Sequence, residues 1–315
     1  MKNYIRKILF GDIQIREYVN IAIEDGISER VYLKAGESIY NISQIHWLLC
    51  IEPIVFGLWF EQNGEEIFST INQKCQMYFC DSSYDNSDVK KNASAILTLH
   101  FFDCIKEDFG VLFLFTAIRS EIYQLNSIKR NLLFARYYKK NGLTLSKFKY
   151  LVSAYSYPRQ IKLISFREGD YYNIFPMDLL GEIKNKNRYV FGLRHSNVSL
   201  PKIIQTGKLV VSEVSFQHKN IIYELGKHHS SKPPSLHSLP FGLLRSKNLN
   251  FYIPDWVKSY REIKIFKTRN LGSHMLLWGE MLEENKLTNL TGDLFLIHFF
   301  HYLHQKNKGV GYPTV

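Results

Sequence analysis

The chain has 315 residues, 45% hydrophobic and 22% charged, which suits globular structure with room for two domains and excludes a disordered polymer. Its net charge of +11 is scattered in short runs such as Lys139-Lys140 and 184–188, so a solvated basic surface and an anionic small ligand fit better than a nucleic-acid groove. The apolar part of the opening MKNYIRKILFGD is too short for a leader, and no apolar stretch reaches about 18 residues, so no membrane span is expected and a cytoplasmic location is the default.

Aromatic residues make up 15% of the chain and favour β structure with large buried side chains. Residues 1–24 read as a short helix or a pair of strands. Residues 30–42 alternate around Gly36 and predict a β-hairpin. Strands follow at 47–49 and 54–60, a short helix at 65–73, a strand at 75–79 and a polar loop at 81–91. Residues 95–105 and 110–119 predict a long antiparallel pair turning at Glu107-Asp108-Phe109-Gly110. Charges at helical spacing over 120–140 end at Asn141-Gly142, a C-terminal stop, and a second helix is expected at 144–154. Cys50, Cys75, Cys80 and Cys104 have apolar neighbours and no CxxC spacing, which points to buried free thiols in a reducing compartment rather than zinc.

Near residue 155 the pattern starts again. Val31-Tyr32-Leu33, Gly36, Tyr40-Asn41-Ile42 and Val55-Phe56-Gly57-Leu58 match, in order, Ile161-Lys162-Leu163, Gly169, Tyr172-Asn173-Ile174 and Val190-Phe191-Gly192-Leu193. The block 96–118 matches 260–282. Two units are therefore expected, 1–154 and 155–315.

In the second unit, residues 190–212 read as an apolar strand, a polar turn, a short helix, a stop at Gly207 and another apolar strand. The turn carries Arg194, His195, Ser196, Asn197 and Ser199. A guanidinium, hydroxyls and an amide beside N–H groups at a helix start suit a phosphate; they equally suit a capped, basic helix start with no ligand. At the equivalent place the first unit has Trp59-Phe60-Glu61-Gln62-Asn63-Gly64-Glu65-Glu66, whose carboxylates would repel a phosphate. Upstream, Pro176 lacks an N–H and fits an edge or a bulge where a ring can approach. Lys227-His228-His229 lies in a Gly/Ser-rich loop; adjacent histidines on an extended chain point to opposite faces, so no metal is expected. His274 closes the turn 271–274 between two long strands. Residues 294–304 read as an apolar helix with His298, His301 and His304, a packing element. No dinucleotide-binding or metal-binding motif occurs.

The 190–212 stretch resembles the phosphate-binding segment of the flavin reductase-like family, the FMN-binding split β-barrels. The strand ends in Arg194, Ser196 follows two residues later, Ser199 three after that, and a helix leads through Gly207 into the next strand; Asn197 stands where a second arginine often lies. Asn173 and Met177 resemble the family strand that runs along the flavin ring, with Asp178 where a small hydroxyl or polar residue is common. Ser273 replaces the acid that commonly precedes the histidine at His274. The resemblance covers about residues 158–303 and reaches the first half only through the internal repeat. It implies a mainly β fold class of two tandem split β-barrel (Greek-key) units with peripheral helices in a pseudo-dimer, with 1–154 a degenerate copy without cofactor. It implies non-covalent FMN held by Asn173, Phe175, Pro176, Met177, Asp178, Arg194, His195, Ser196, Asn197, Ser199, Lys227, His228 and His274. It also implies NAD(P)H-dependent electron transfer to a flavin or another small acceptor; a homodimer is possible, and the scattered charge and short apolar runs lead us to expect no nucleic-acid or membrane partner. The other reading is a non-catalytic flavin-binding or structural protein.

Overall fold

The computed structural model describes residues 16–24, 26–61, 74–82, 89–139, 142–228 and 230–312. The expected helix at 65–73, the acidic pair Glu65-Glu66, most of the polar loop after 81, Asn141 and His229 lie outside the described residues. The chain is mainly β, in antiparallel sheets.

The described chain opens with β1 (Tyr18–Ile23). Strands β2 (Arg30–Ala35) and β3 (Ser38–Asn41) then form the expected hairpin, with Gly36 at φ 59°, in the left-handed region that glycine enters without penalty. β4 (His46–Ile51), β5 (Ile54–Glu61), β6 (Cys75–Cys80) and the long pair β7 (Ala93–Glu107) and β8 (Gly110–Ile122) complete a seven-stranded sheet in the order β3-β2-β6-β7-β8-β5-β4. The expected helix at 120–140 begins later than its charges suggest. Residues 120–122 extend β8 on the ladder to 95–97, and the helix Ser127–Leu133 starts only where the Asn126 carbonyl oxygen of the side chain accepts the Lys129 N–H at 2.9 Å. It runs on as a π-helical segment, Phe134–Tyr138, before the helix Leu145–Ala154 capped by Thr144.

After β9 (Arg159–Gln160) come β10 (Lys162–Glu168), β11 (Tyr171–Met177), β12 (Leu180–Ile183), β13 (Arg188–Arg194) and β14 (Lys208–Glu213). A two-stranded ribbon, β15 (Leu243–Arg245) and β16 (Tyr252–Pro254), precedes β17 (Ser259–Asn270) and β18 (His274–Lys286). The second seven-stranded sheet has the order β11-β10-β14-β17-β18-β13-β12, the first order with each strand replaced by its counterpart.

The two sheets meet face to face where small residues let them approach. Trp47 of β4 packs on Gly181, and a Cβ on Gly192 would fall on the carbonyl oxygen of Leu49. Trp59 and Trp278 lie 6.0 Å apart between ring centres, and the Trp278 indole N–H donates to Glu107 at 3.0 Å. Leu49, Val55, Leu112 and Leu114 of the first unit and Val190, Leu276 and Trp278 of the second share this apolar cluster. The basic run at 184–188 faces acids of the first unit: Lys186 pairs with Glu61 at 3.8 Å and Arg188 with Glu107 at 3.8 Å.

Residues 294–304 do not form one helix. β19 (Asp293–His298) pairs with β1 from Tyr18↔His298 to Ile23↔Asp293 and also with β9, and only then does the helix Phe299–Asn307 begin, with the His298 ring accepting the Phe300 N–H at 3.0 Å. Phe299, Phe300 and Leu303 enter the core of the first unit. His301 lies 3.0 Å from Glu29 and His304 2.8 Å from Asp81, with Gln305, Lys308 and Tyr312 on the same two acids. All four cysteines are free thiols, three of them buried. Among the described residues no helix is long and apolar enough to cross a membrane, and no three ligand-type side chains converge to hold a metal.

Candidate functional site

β11 is an edge strand of its sheet, and Pro176 sits there opposite Leu163. An edge is where a residue without an N–H leaves no ladder bond unmade. Past Met177 the chain turns at Asp178 into β12, and the Gly192 N–H donates to the Leu179 carbonyl at 2.8 Å, which sets this corner beside the end of β13.

The corner opens onto a cleft of about 930 Å³. Pro176, Met177 and Asp178 form one wall. The helix Lys219–Gly226, with Lys227 after it, forms a second, and Arg16, Glu17 and Tyr18 leading into β1 form a third. Ile161, Ile222 and Leu296 contribute apolar surface. Burial raises the Asp178 carboxyl above its ordinary range, opposed by the Arg159 charge and a hydrogen bond with Tyr155; its Oδ2 has no partner among the described residues. The Arg159 guanidinium is itself buried, with Nε donating to the Ala154 carbonyl at 3.1 Å beneath the Tyr155 and Phe56 rings.

At the end of β13, the side chains of Arg194, His195 and Ser196 are exposed, and the Arg194 charge acts on both Asp178 and Tyr18. Asn197 and Ser199 are buried. The Ser199 N–H donates to Asn197 Oδ1 at 2.8 Å, and Ser199 Oγ accepts from Asn173 Nδ2 at 2.9 Å with the Tyr171 hydroxyl also 2.9 Å away. Tyr171, Asn173 and Ser199 tie the turn to β11, while Phe175 packs in the apolar core of the second unit. Asn173 Oδ1 and Asn197 Nδ2 have no partners among the described residues.

His274 stands opposite Arg194 on the β13–β18 ladder and is buried. Burial first, then the charges of Arg194 and His195, push its imidazole down to about 4, so it is neutral at pH 7. Its Nδ1 lies 2.8 Å from Ser273 Oγ, and His195 Nε2 lies 3.2 Å from Asn270 Oδ1. The first unit covers this turn: the Ser273 N–H donates to the Glu52 carbonyl at 2.7 Å, and a Cβ on Gly272, which has φ 115°, would come 2.6 Å from Pro53 Cδ.

The structure thus gathers two groups. Pro176, Met177, Asp178 and Lys227 line the cleft; Arg194, His195, Ser196 and His274 cluster at the neighbouring strand end. Asn173, Phe175, Asn197 and Ser199 are buried inside the second unit. The expected loop begins where the helix Lys219–Gly226 ends; Lys227 follows the helix, paired with Glu224 at 2.7 Å, while half-buried His228 does not line the cleft. Sequence reasoning missed Arg16, Tyr18, Arg159, Lys219 and Tyr223. No local motif marks them, because they reach the site through the pairing of β19 with β1 and β9 and the packing of the helix on β11.

No protein-family model and no curated protein matches the chain. Several solved structures are similar to part of it. An FMN-binding protein from Thermus thermophilus with bound 1-cyclohex-2-enone is 13% identical over 42% of this chain and 74% of its own, with a TM-score of 0.38. An NADH:FAD oxidoreductase of Streptomyces globisporus C-1027 is 12% identical over 45% and 83%, with a TM-score of 0.40. The styrene monooxygenase flavin reductase of Pseudomonas putida S12 is 12% identical over 50% and 91%, with a TM-score of 0.39. The functional reading rests on the residues of this chain.

Proposed function

We propose that the chain is a flavin-dependent oxidoreductase whose second unit, 155–315, holds FMN, with the first, 1–154, its structural partner in a pseudo-dimer of split barrels. The observation that carries this reading is the cleft beside the Arg194 turn, which joins an edge proline, a buried carboxyl oxygen without a partner among the described residues and the cationic side chains of Lys219 and Lys227, with exposed Arg194 at the neighbouring strand end. The residues fit the group. Pro176 and Met177 offer a flat apolar edge to a ring, Asp178 Oδ2 offers a hydrogen-bonding atom, and Arg194 with Ser196 offers charge-assisted contacts to a phosphate.

When bound, a flavin supplies hydride and electron transfer between NAD(P)H and a small acceptor. The protein binds and orients: Arg194 neutralises the phosphate, Pro176 leaves the strand edge open, and Lys219 and Lys227 raise the local concentration of an anionic nucleotide. Asp178, buried, holds a proton more readily than an exposed acid. Neutral His274 adds no charge at the strand end. The repeated strand order supports a tandem duplication, and the free thiols suit a reducing compartment such as the cytoplasm.

Titration of the purified chain with FMN, read by flavin fluorescence, tests the reading. Arg194→Ala is expected to weaken binding about ten- to hundredfold, the equivalent of about 1.5–3 kcal/mol for a hydrogen bond to a charged group. Riboflavin, without the phosphate, is expected to bind much less tightly than FMN. Equal binding of FMN by parent and Arg194→Ala overturns the site. Anaerobic mixing of the holo-protein with NADH or NADPH is expected to bleach the flavin. Reduction by dithionite but by neither nucleotide would assign a non-catalytic flavin-binding protein instead.

A further inference from the structure

The turn between β17 and β18 carries a proton-bookkeeping problem with one good solution. The Ser273 hydroxyl oxygen accepts the Glu52 backbone N–H, from the first unit, at 3.1 Å. The hydroxyl has a single proton to give. His274 Nδ1 lies 2.8 Å away and the Cys50 sulfur 3.5 Å away. Sulfur is the weaker acceptor, and the Cys50 thiol has its own acceptor in the Leu271 carbonyl at 3.4 Å. The hydroxyl proton therefore goes to Nδ1. In a neutral imidazole the ring proton then sits on Nε2.

We propose that Ser273 is a positioning residue that locks His274 as the Nε2–H tautomer, and that the first unit supplies the lock through the Glu52 amide. The bearing of this lock on flavin chemistry rests on the reading above, since it acts at the strand end where Arg194 stands. It fixes Nε2 as the ring's donor and leaves the ring no free acceptor nitrogen. It also gives the first unit a part in the second unit's site. The Glu52-Pro53 turn lies so close that position 272 must be glycine, with Pro53 Cδ 2.6 Å from where a Cβ would be. The reciprocal bond from Ser273 N–H to the Glu52 carbonyl, 2.7 Å, holds that turn in register.

The test is long-range proton–nitrogen correlation spectroscopy of the ¹⁵N-histidine-labelled full chain at pH 7, without flavin, with His274 assigned by the loss of its signals in His274→Gln. The wild type is expected to show the Nε2–H pattern alone, and Ser273→Thr to keep it. Ser273→Ala is expected to give a mixture, with the Nδ1–H form clearly populated. A wild-type spectrum with the proton on Nδ1 overturns the proposal, as does a Ser273→Ala spectrum identical to the parent's. If Ser273→Ala does not fold, the wild-type and Ser273→Thr spectra still decide. Because no flavin is present, failure to bind FMN leaves this result standing, and an Nδ1–H pattern in a protein that binds FMN overturns only the lock.

Discussion

Gly192 lies where the backbones of two units touch, and what a methyl group would do there can be measured. A Cβ at this position meets the Leu49 carbonyl oxygen, which cannot rotate away. Gly192→Ala is expected to destabilise the chain by about 3 kcal/mol or more, at or beyond the upper end of overpacking costs. Denaturant unfolding measures it, and Leu49→Ala should not rescue the loss, because the obstructing atom is backbone. At this scale the sequence is informative wherever chemistry forces position. Pro176 belongs at an edge because it lacks an N–H, and the run into Arg194 exposes that side chain at a strand end. It is uninformative for Asn197 and Ser199, which have the same residue types whether they face a ligand or the interior. What turns them inward is Asn173, on a different strand, whose side-chain N–H donates to the Ser199 hydroxyl oxygen.

The segment 293–307 shows the same limit for an element. Its apolar residues carry no clear period, so one helix and a strand followed by a helix are hard to separate by pattern. The partner that decides is β1, some 270 residues earlier in the chain, in a segment that reads equally as a short helix or a pair of strands. The hairpins β2–β3 and β7–β8 were legible because their partners are adjacent and their turns carry glycine. Deleting the chain from Phe299 onward is expected to cost several kcal/mol, since each of Phe299, Phe300 and Leu303 gains about 1.5–3 kcal/mol by burial. Thermal unfolding should then show a weakened first unit. The same helix creates an acid dependence. Burial would raise the Asp81 carboxyl, but hydrogen bonds and charge from His304 and Lys308 outweigh it and hold the group down at about 2, against an ordinary 3.8. A depressed folded value means that the stabilisation is complete above pH 3.8 and is lost as pH falls toward 2. Asp81→Asn is expected to lower stability at pH 7 and to converge with the parent in that acid window, as acid titration of the unfolding midpoint would show.

For the molecule as a whole, two sheets of the same strand order predict equal folds but unequal sites. In the repeat, Trp59 stands where Arg194 does; it is buried against Trp278 and has no cation to offer. Glu61, at the end of β5, pairs with Lys186 of the other unit. The expected stoichiometry is therefore one FMN per chain; saturation at two by equilibrium dialysis would contradict the argument from charge. The strand that joins the ends also fixes how the chain responds to force. Tyr18 lies opposite His298 in an antiparallel ladder, so the leading chain and the C-terminal helix leave β1 and β19 from the same end. Tension applied at residues 16 and 308 first peels that helix away, then opens the ladder one hydrogen bond at a time, as a zipper. Tension applied at residues 18 and 293, at opposite ends of the ladder, loads all its bonds at once. In optical tweezers the first attachment should yield at distinctly lower force than the second, so the seam that closes the molecule resists sliding far better than peeling.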